Sequence, residues 1–244
     1  HCVTNQEAFD RVKAMGEEEW RIKLVGYPAI DLISKSDFSN PEDLKSRLNL
    51  DFSQPILVFT QHSVTTQFKD VISQLTPSIN ALNRCADEGI KCIITYPNND
   101  AGGSKIYEYL DSQLIDSKNI VLTKSLGRKN YWGLLNLAKE GIANIICVGN
   151  SSSGIKETAT FKCPTVNIGS RQEGRLRGSN IIDVPYDETE IYNGIQKALF
   201  DKSFKNYCLK TNNPYGMGGA GNLIAEFIDS IEINDIARIK KMTL

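Results

Sequence analysis

The chain has 244 residues, of which 41% are hydrophobic and 23% charged, and its formal net charge is −1. This length suits one large α/β domain or two small ones and is sufficient for a full hydrophobic core. The near-neutral charge argues against a nucleic acid or a membrane surface as the partner. No apolar run reaches the length of a membrane span and no secretory signal opens the sequence, so we expect a cytoplasmic protein.

The cysteine and histidine content gives no indication of a metal site. The six cysteines are scattered without a CxxC pair, which is typical of reduced residues packed in a core. The chain has only two histidines, His1 and His62, so a three-histidine site is impossible. We therefore predict neither a metal nor a cofactor. Because the chain opens at His1 without a methionine and runs at once into a helix start, we also expect it to be part of a longer protein.

Strands and helices are predicted to alternate along the chain. The predicted strands are short, largely apolar runs, and in chain order they are 22–25, 55–60, 92–96, 120–122, 145–148, 164–168 and 181–184. The predicted helices have apolar residues at helical spacing; in chain order they begin at Thr4 or Asn5, at Asn40, at about Asp70, after Ser104, at Asn130, after Ser151, and near Glu188 and Asn222. Apolar strands that alternate with helices describe a parallel sheet covered on both faces. We therefore predict an α/β fold with one doubly wound, Rossmann-like domain over residues 1–244.

The stretch 143–157 combines a strand with an unusual turn. Its apolar run ends at Gly149, and the serine turn, which we define as residues 151–154, leads into a short helical pattern. Such a turn gathers free backbone N–H groups and the positive end of the helix dipole at one point, which favours a phosphate. The alternative is that the serines only cap the helix. Glu157 lies about one and a half turns further on, where its carboxylate can meet a hydroxylated ligand.

Three more polar residues follow other predicted strands, namely His62, Asn98 and Arg171. Each has an ordinary explanation, as a structural histidine, a turn asparagine and a member of a solvated charged loop. Ligands of open parallel sheets, however, bind beyond the carboxyl ends of the strands, where all three side chains and the serine turn would meet. Basic side chains beside the serine turn favour a diphosphate, and Glu157 can accept hydrogen bonds from a ribose. A nucleoside diphosphate is therefore the predicted ligand, while the absence of the GxGxxG and GxxxxGK[ST] motifs argues against a nicotinamide enzyme or an ATPase.

Four segments carry a family resemblance, and they are 61–66, 97–102, 149–157 and 167–175. They resemble the hydrolysing UDP-N-acetylglucosamine 2-epimerases, above all the branch that serves sialic and related nonulosonic acids, and the resemblance runs from about Thr4 to about Ile231. Members of this family have two Rossmann-like domains that face each other across a cleft, as in B-type glycosyltransferases. The chain resembles only the C-terminal, UDP-binding domain. The N-terminal domain, whose carboxylates handle the proton at C2 of the sugar, has no counterpart here, so the resemblance implies that this chain alone is inactive.

The resemblance also implies a reaction and a set of site residues. The family eliminates UDP to form a glycal and then adds water, so that UDP-N-acetylglucosamine and water give N-acetylmannosamine and UDP for sialic-acid, nonulosonic-acid or surface-polysaccharide synthesis. The implied residues are a catalytic His62 and the UDP-binding Asn98, Ser151, Ser152, Ser153, Gly154, Glu157 and Arg171. In these roles Ser151 and Ser152 hold the diphosphate and Glu157 the ribose. Arg171 offsets the charge on the leaving phosphate, and His62 acts as an acid or a binding contact.

Three alternatives use the same nucleotide site. They are a UDP-diacetylbacillosamine 2-epimerase, a B-type glycosyltransferase domain in which an acceptor attacks in place of water, and a nucleotide-sugar binding module without catalysis. In each case the expected partner is UDP or a UDP-sugar. For the full-length enzyme we expect a homo-oligomer.

Overall fold

A computed structural model of the chain describes residues 1–234, 238–241 and 243, and it divides into two compact units. The first unit combines His1–Asp37 with Asn213–Leu244, and the second is the continuous segment Phe38–Asn212. The prediction of one domain over 1–244 rested on the regular alternation of strands and helices. That alternation runs on without a linker past residue 37, so the sequence carries no mark of this division.

The described residues form eight β-strands, most of them short. They are β1 (Cys2–Val3), β2 (Lys23–Leu24), β3 (Ile56–Thr60), β4 (Lys91–Thr95), β5 (Ile120–Thr123), β6 (Ile145–Gly149), β7 (Thr165–Ile168) and β8 (Ile181–Val184).

The α-helices of the same described residues are α1 (Gln6–Ala14), α2 (Ala29–Ser34), α3 (Pro41–Leu48), α4 (Val71–Asp87), α5 (Gly103–Gln113), α6 (Gly127–Lys139), α7 (Ser152–Lys156), α8 (Glu188–Phe200), α9 (Lys202–Leu209) and α10 (Ala220–Asp229). Short 3-10 segments lie at Glu19–Arg21, Thr65–Asp70 and Ser170–Gln172. None of the helices described is both long and apolar enough to cross a bilayer.

The second unit is built on a six-stranded sheet in the order β5-β4-β3-β6-β7-β8, and every neighbouring pair is parallel. The chain runs outward from β3 through β4 to β5 and then returns to β6 on the other side of β3. The strand order therefore switches between β3 and β6. This arrangement confirms the predicted α/β class and the doubly wound parallel sheet.

Both faces of the central strands are covered, which explains why these strands are largely apolar. Along β3, Leu57 and Phe59 belong to one buried cluster, together with residues of α4, α5 and α8. The residues that alternate with them, Ile56 and Val58, belong to a second cluster with α3 and α6. Because successive side chains of a strand point to opposite faces, a strand buried on both faces shows no polar alternation.

The first unit brings the two ends of its discontinuous chain together. Strands β1 and β2 pair in a separate two-stranded parallel sheet, so the predicted strand 22–25 does not join the main sheet. The N–H of Tyr27 donates to the carbonyl of Tyr215 at 2.9 Å. The Asp31 carboxylate accepts from the N–H groups of Ala220 and Gly221 at the start of α10, which lowers its pKa.

Two helices were not predicted from the sequence. Helix α9 begins only two residues after α8 ends, and Asp201 both follows α8 and caps α9 by accepting from the N–H groups of Ser203 and Phe204. The helical pattern near Glu188 is predicted to end at Phe200, where α8 ends, and the eight residues of α9 were not recognised as a further helix. Helix α2 has six residues, which is too short for a periodic pattern to be recognised.

Gly149, the last residue of β6, determines how closely β6 approaches β3. Its φ of +124° is unfavourable for other residues, and a Cβ built on it would lie 2.0 Å from the carbonyl oxygen of Thr60, its partner on β3. The backbones of Gly149 and Thr60 are paired in the sheet, so neither can move aside to make room for a Cβ. Only glycine permits the two strands to end together at this point.

We expect Gly149→Ala to lower the free energy of unfolding by about 3 kcal/mol or more, because a backbone clash adds to the strained φ. The matched control is Gly141→Ala, whose φ is +66° but whose added Cβ meets nothing within 4 Å, with an expected loss of about 1 kcal/mol. Urea unfolding followed by circular dichroism measures both. Equal losses for the two variants would show that the close approach at Thr60 has no energetic weight.

Candidate functional site at the carboxyl edge of the sheet

Asn150 joins the loops that follow β3 and β6. Its side-chain Oδ1 accepts from the N–H of His62 at 2.7 Å, and its Nδ2 donates to the His62 carbonyl at 2.8 Å. Its own N–H donates to the Thr60 carbonyl at 3.1 Å, and only 1% of Asn150 is exposed. We call this pair of side-chain bonds the amide bracket. It fixes the backbone of His62 against the strand that leads into the serine turn.

The loop after β7 is tied to the same residue. The Asn150 carbonyl accepts from Arg171 Nη1 at 3.1 Å and from Gln172 Nε2 at 2.7 Å. Arg171 is placed there by Gly169, whose φ is +69° and whose added Cβ would lie 2.0 Å from the ring of Tyr186. The chain can therefore turn tightly out of β7 only with glycine at this position.

His62 is held as a neutral ring with a known tautomer. Its Nδ1 accepts the N–H of Asn98 at 3.0 Å, so in the neutral form the proton is on Nε2. Burial, and next the positive charge of Arg171, lower the pKa of His62 to about 4, while the carboxylate of Asp100 acts in the opposite direction. At neutral pH His62 is therefore an uncharged hydrogen-bond donor through Nε2.

Asp100 sits between the predicted ligand-binding residues. Its Oδ2 lies 3.5 Å from Arg171 Nη2 and accepts from Asn98 Nδ2 at 2.8 Å. The guanidinium of Arg171 is thus held by a carbonyl on one side and a carboxylate on the other. The side chain of Asn98 is engaged with Asp100, while its backbone N–H orients His62. The structure brings His62, Asn98 and Arg171 into one hydrogen-bonded group, as the sequence predicted for residues at strand ends.

The serine turn continues directly from Asn150 into α7. Ser151 is the cap of this five-residue helix, and its Oγ lies 3.4 Å from the N–H of Ser153. Ser151 and Ser152 are half-buried, and Gly154 is buried. Capping and ligand binding are both compatible with this geometry, so the two interpretations of the serines remain open at the level of the fold.

Glu157, at the other end of α7, forms a second hydrogen-bonded group with Ser153. Oε2 of Glu157 lies 2.9 Å from Ser153 Oγ and accepts from Nε1 of Trp132 at 2.6 Å. Ser153 Oγ lies 2.9 Å from Tyr131 Oη, which in turn lies 3.4 Å from Cys147 Sγ. In this structure the side chain of Ser153 hydrogen-bonds to its protein neighbours. Its role as a ligand of UDP stays a prediction.

Sequence reasoning passed over Asn150, Gln172 and Trp132. Asn150 stands inside the recognised segment 149–157, and its position directly after a strand was the one available signal. Gln172 and Trp132 gave none, because an amide beside an arginine and a tryptophan in an amphipathic helix are ordinary. Their roles depend on which loops the sheet brings together.

Residues 1–229 of the chain match the protein family described as UDP-N-acetylglucosamine 2-epimerase. The chain belongs to this family. A curated relative from Campylobacter jejuni, a GDP/UDP-N,N'-diacetylbacillosamine 2-epimerase (hydrolyzing), is 33% identical over 75% of this chain and 46% of its own length. A UDP-N-acetylglucosamine 2-epimerase from Neisseria meningitidis is 32% identical over 81% of this chain and 49% of its own length. The chain thus spans about half the length of these relatives.

Solved structures share the fold at much lower identity. A structure of S. aureus MnaA with UDP has a TM-score of 0.69 and 16% identity, and the match covers 95% of this chain and 60% of the other. The similar structures include 2-epimerases with the architecture of B-type glycosyltransferases, which confirms the predicted fold class.

The burial of His62 predicts how the free energy of unfolding depends on pH. In the unfolded chain its pKa is about 6.5, whereas in the folded chain it is about 4, so between these values the unfolded state binds more protons. The free energy of unfolding must therefore fall as the pH is lowered from about 6.5 to 4. In His62→Gln this fall should be shallower, while His1 is common to both proteins. Unfolding in urea at a series of pH values measures the free energy of unfolding of both proteins. If the parent chain and His62→Gln gave the same pH profile, the burial of a neutral His62 ring would be contradicted.

Proposed function

We propose that this chain is the UDP-binding half of a hydrolysing UDP-N-acetylglucosamine 2-epimerase. The observation that carries the proposal is the joining of His62, Asn98 and Arg171 at the switch point of the sheet, beside the serine turn, in a chain of this family. A similarly folded protein has been solved with UDP, which supports the same ligand here. The roles below follow from this assignment.

The diphosphate would lie between Arg171 and the start of α7. Arg171 provides a planar cation that is already held by the carbonyl of Asn150, so little side-chain freedom is lost on binding. Ser151 and Ser152 provide hydroxyl and backbone N–H donors in the first turn of a helix, where such groups lack intrahelical partners. Asp100, now paired with Arg171, exchanges with the phosphate as the partner of the guanidinium.

Elimination breaks the bond between C1 of the sugar and the β-phosphate oxygen, and the electron pair leaves with UDP. Arg171 stabilises the charge that grows on this oxygen, more strongly in the transition state than in the bound substrate. His62 donates a hydrogen bond from Nε2 while it is neutral. A bound diphosphate raises the pKa of the ring through its negative charge. To act as an acid, the ring must take a proton from water at Nδ1 and release its hydrogen bond with the Asn98 N–H, after which Nε2 can give its proton to the leaving group.

The removal of the proton at C2 belongs to carboxylates that this family carries in its other domain. The chain therefore holds the leaving group but lacks the base. Water adds to the glycal in the second step and gives the free 2-epimeric sugar. We assign the product to sialic-acid, nonulosonic-acid or surface-polysaccharide synthesis.

A second candidate substrate is UDP-N,N'-diacetylbacillosamine. The Campylobacter jejuni relative, at 33% identity, favours it. The residues assigned here contact UDP, which is common to both substrates, and the sugar is selected by residues outside this set. Assays of the full-length protein with each UDP-sugar, measuring released UDP and the free sugar, distinguish the two.

We expect the 244-residue chain to bind UDP in calorimetry. Arg171→Ala should weaken binding about 10- to 100-fold because a charged hydrogen-bond donor is lost, and Ser152→Ala about 3- to 10-fold. Arg47→Ala, which removes an equal charge from an exposed position of α3, is the control and should leave binding unchanged. If both site variants bind UDP as tightly as the parent chain, the diphosphate site is misplaced.

We expect the same chain to release no UDP from UDP-N-acetylglucosamine. It has the assigned groups for the leaving phosphate but not those for the proton at C2, so substrate binds without turnover. Coupled detection of UDP together with chromatography of the free sugar measures this. Epimerase activity from the isolated chain would place the C2 acid and base within these 244 residues.

A further inference from the structure

We propose that Trp132 is a positioning residue that fixes Glu157 in advance, so that the site distinguishes a ribonucleotide from a nucleotide without ribose hydroxyls. The inference rests on the proposed function, because it concerns the group that would hold the ribose of UDP. It adds a residue that lies in a different helix and does not itself touch the ligand.

The geometry is a convergence of two donors on one oxygen. Trp132, in α6, is 4% exposed, and its indole Nε1 lies 2.6 Å from Oε2 of Glu157. Ser153 Oγ lies 2.9 Å from the same oxygen. The indole N–H can only donate and the carboxylate can only accept, so the direction of this bond is unambiguous. Hydrogen bonds to a charged acceptor are about twice as strong as neutral ones.

The second donor is oriented by groups behind it. Ser153 has a single hydroxyl proton, and since the carboxylate must accept, that proton points to Glu157. Tyr131 Oη, 2.9 Å from Ser153 Oγ, can then donate to the serine oxygen. Burial raises the pKa of Tyr131 well above its ordinary value, so the phenol keeps its proton. Of these two donors to Glu157, Trp132 is buried and Ser153 is half-buried, and Ser153 is itself hydrogen-bonded to Tyr131.

Such a support changes what Glu157 can do for a ligand. A glutamate has three side-chain torsions, and an exposed one must be ordered when a ligand arrives. Here the ordering has already occurred on folding. A carboxylate has about four acceptor positions, more than the two that Trp132 and Ser153 occupy on Oε2. Arg128, 5.3 Å from the Trp132 ring, further holds the indole in place.

Trp132→Phe tests this directly because it keeps a buried aromatic ring and removes only the N–H donor and the smaller part of the indole. The probes are UDP and 2′,3′-dideoxy-UDP, which differ only in the two ribose hydroxyls. In the parent chain we expect UDP to bind at least tenfold more tightly than the dideoxy compound. In Trp132→Phe this ratio should fall to about twofold, through weaker UDP binding with the dideoxy compound unchanged.

Trp20→Phe is the matched control. The chain contains one other tryptophan, Trp20, whose indole is hydrogen-bonded to Glu18 in the other compact unit. Its replacement removes the same kind of bond elsewhere and should leave both dissociation constants unchanged. In a Glu157→Ala background, Trp132→Phe should likewise change neither constant. An effect there would mean that Trp132 acts through packing, and it would overturn the inference.

A measurement without any change at Trp132 covers the case in which Trp132→Phe does not fold. In the Trp20→Phe chain the single indole N–H resonance is that of Trp132. We expect it to shift on addition of UDP and to shift much less with dideoxy-UDP. No shift with UDP, in a chain shown by calorimetry to bind it, overturns the inference.

The outcomes separate this inference from the proposed function. If the parent chain binds no UDP, the proposed function fails and this inference with it. A second outcome is that the parent chain binds UDP while Trp132→Phe shows the same ratio of dissociation constants for dideoxy-UDP and UDP as the parent chain does. In that case only the role of Trp132 fails. If UDP and dideoxy-UDP bind the parent chain equally, Glu157 does not hold the ribose, while the diphosphate site stands.

Discussion

The amide bracket at Asn150 is the interaction on which the site depends. One buried side chain makes two hydrogen bonds to the backbone of His62, and the carbonyl of the same residue accepts from Arg171. Parallel strands bring their carboxyl ends to one edge, but the loops beyond them are free to diverge. Here a single residue prevents that divergence. The close approach of β6 to β3 at Gly149 puts Asn150 within reach of the loop that follows β3. The packing of these two strands therefore also determines the geometry of the site.

The electrostatics of the site follow from this arrangement. Because His62 is partly buried beside a guanidinium, its pKa is lowered and the ring stays neutral, so the positive charge of the group is concentrated on Arg171. Asp100 balances that charge in the free protein. The second group, around Glu157, is negative and lies at the far end of α7. A short helix thus separates a cationic group from a carboxylate, and in the proposed function these two groups face the diphosphate and the ribose of the nucleotide.

The fold was largely predictable because its signals are local. Largely apolar strands, glycines at helix ends and the run of serines after Gly149 can each be recognised from residues that are close together in the sequence. The proximity of His62, Asn98 and Arg171 was predictable as well, since a parallel sheet has one carboxyl edge. The role of Trp132 was not, because a tryptophan in α6 and a glutamate in α7 meet only through the packing of two helices. The pairing of Asn98 with Asp100, and of Ser153 with Glu157, also depends on side-chain directions that spacing does not encode.

The first unit is made from two distant stretches of chain, whereas the second is continuous. Tyr27 and Asp31 find their hydrogen-bond partners at residues 215, 220 and 221. During synthesis, the strands of the main sheet therefore emerge and can pair while the early helices still lack their partners. Closing a loop of nearly 190 residues costs chain entropy, and the cost is much lower once the intervening segment has become compact. The order in which the chain is synthesised therefore favours folding of the second unit first and completion of the first unit last.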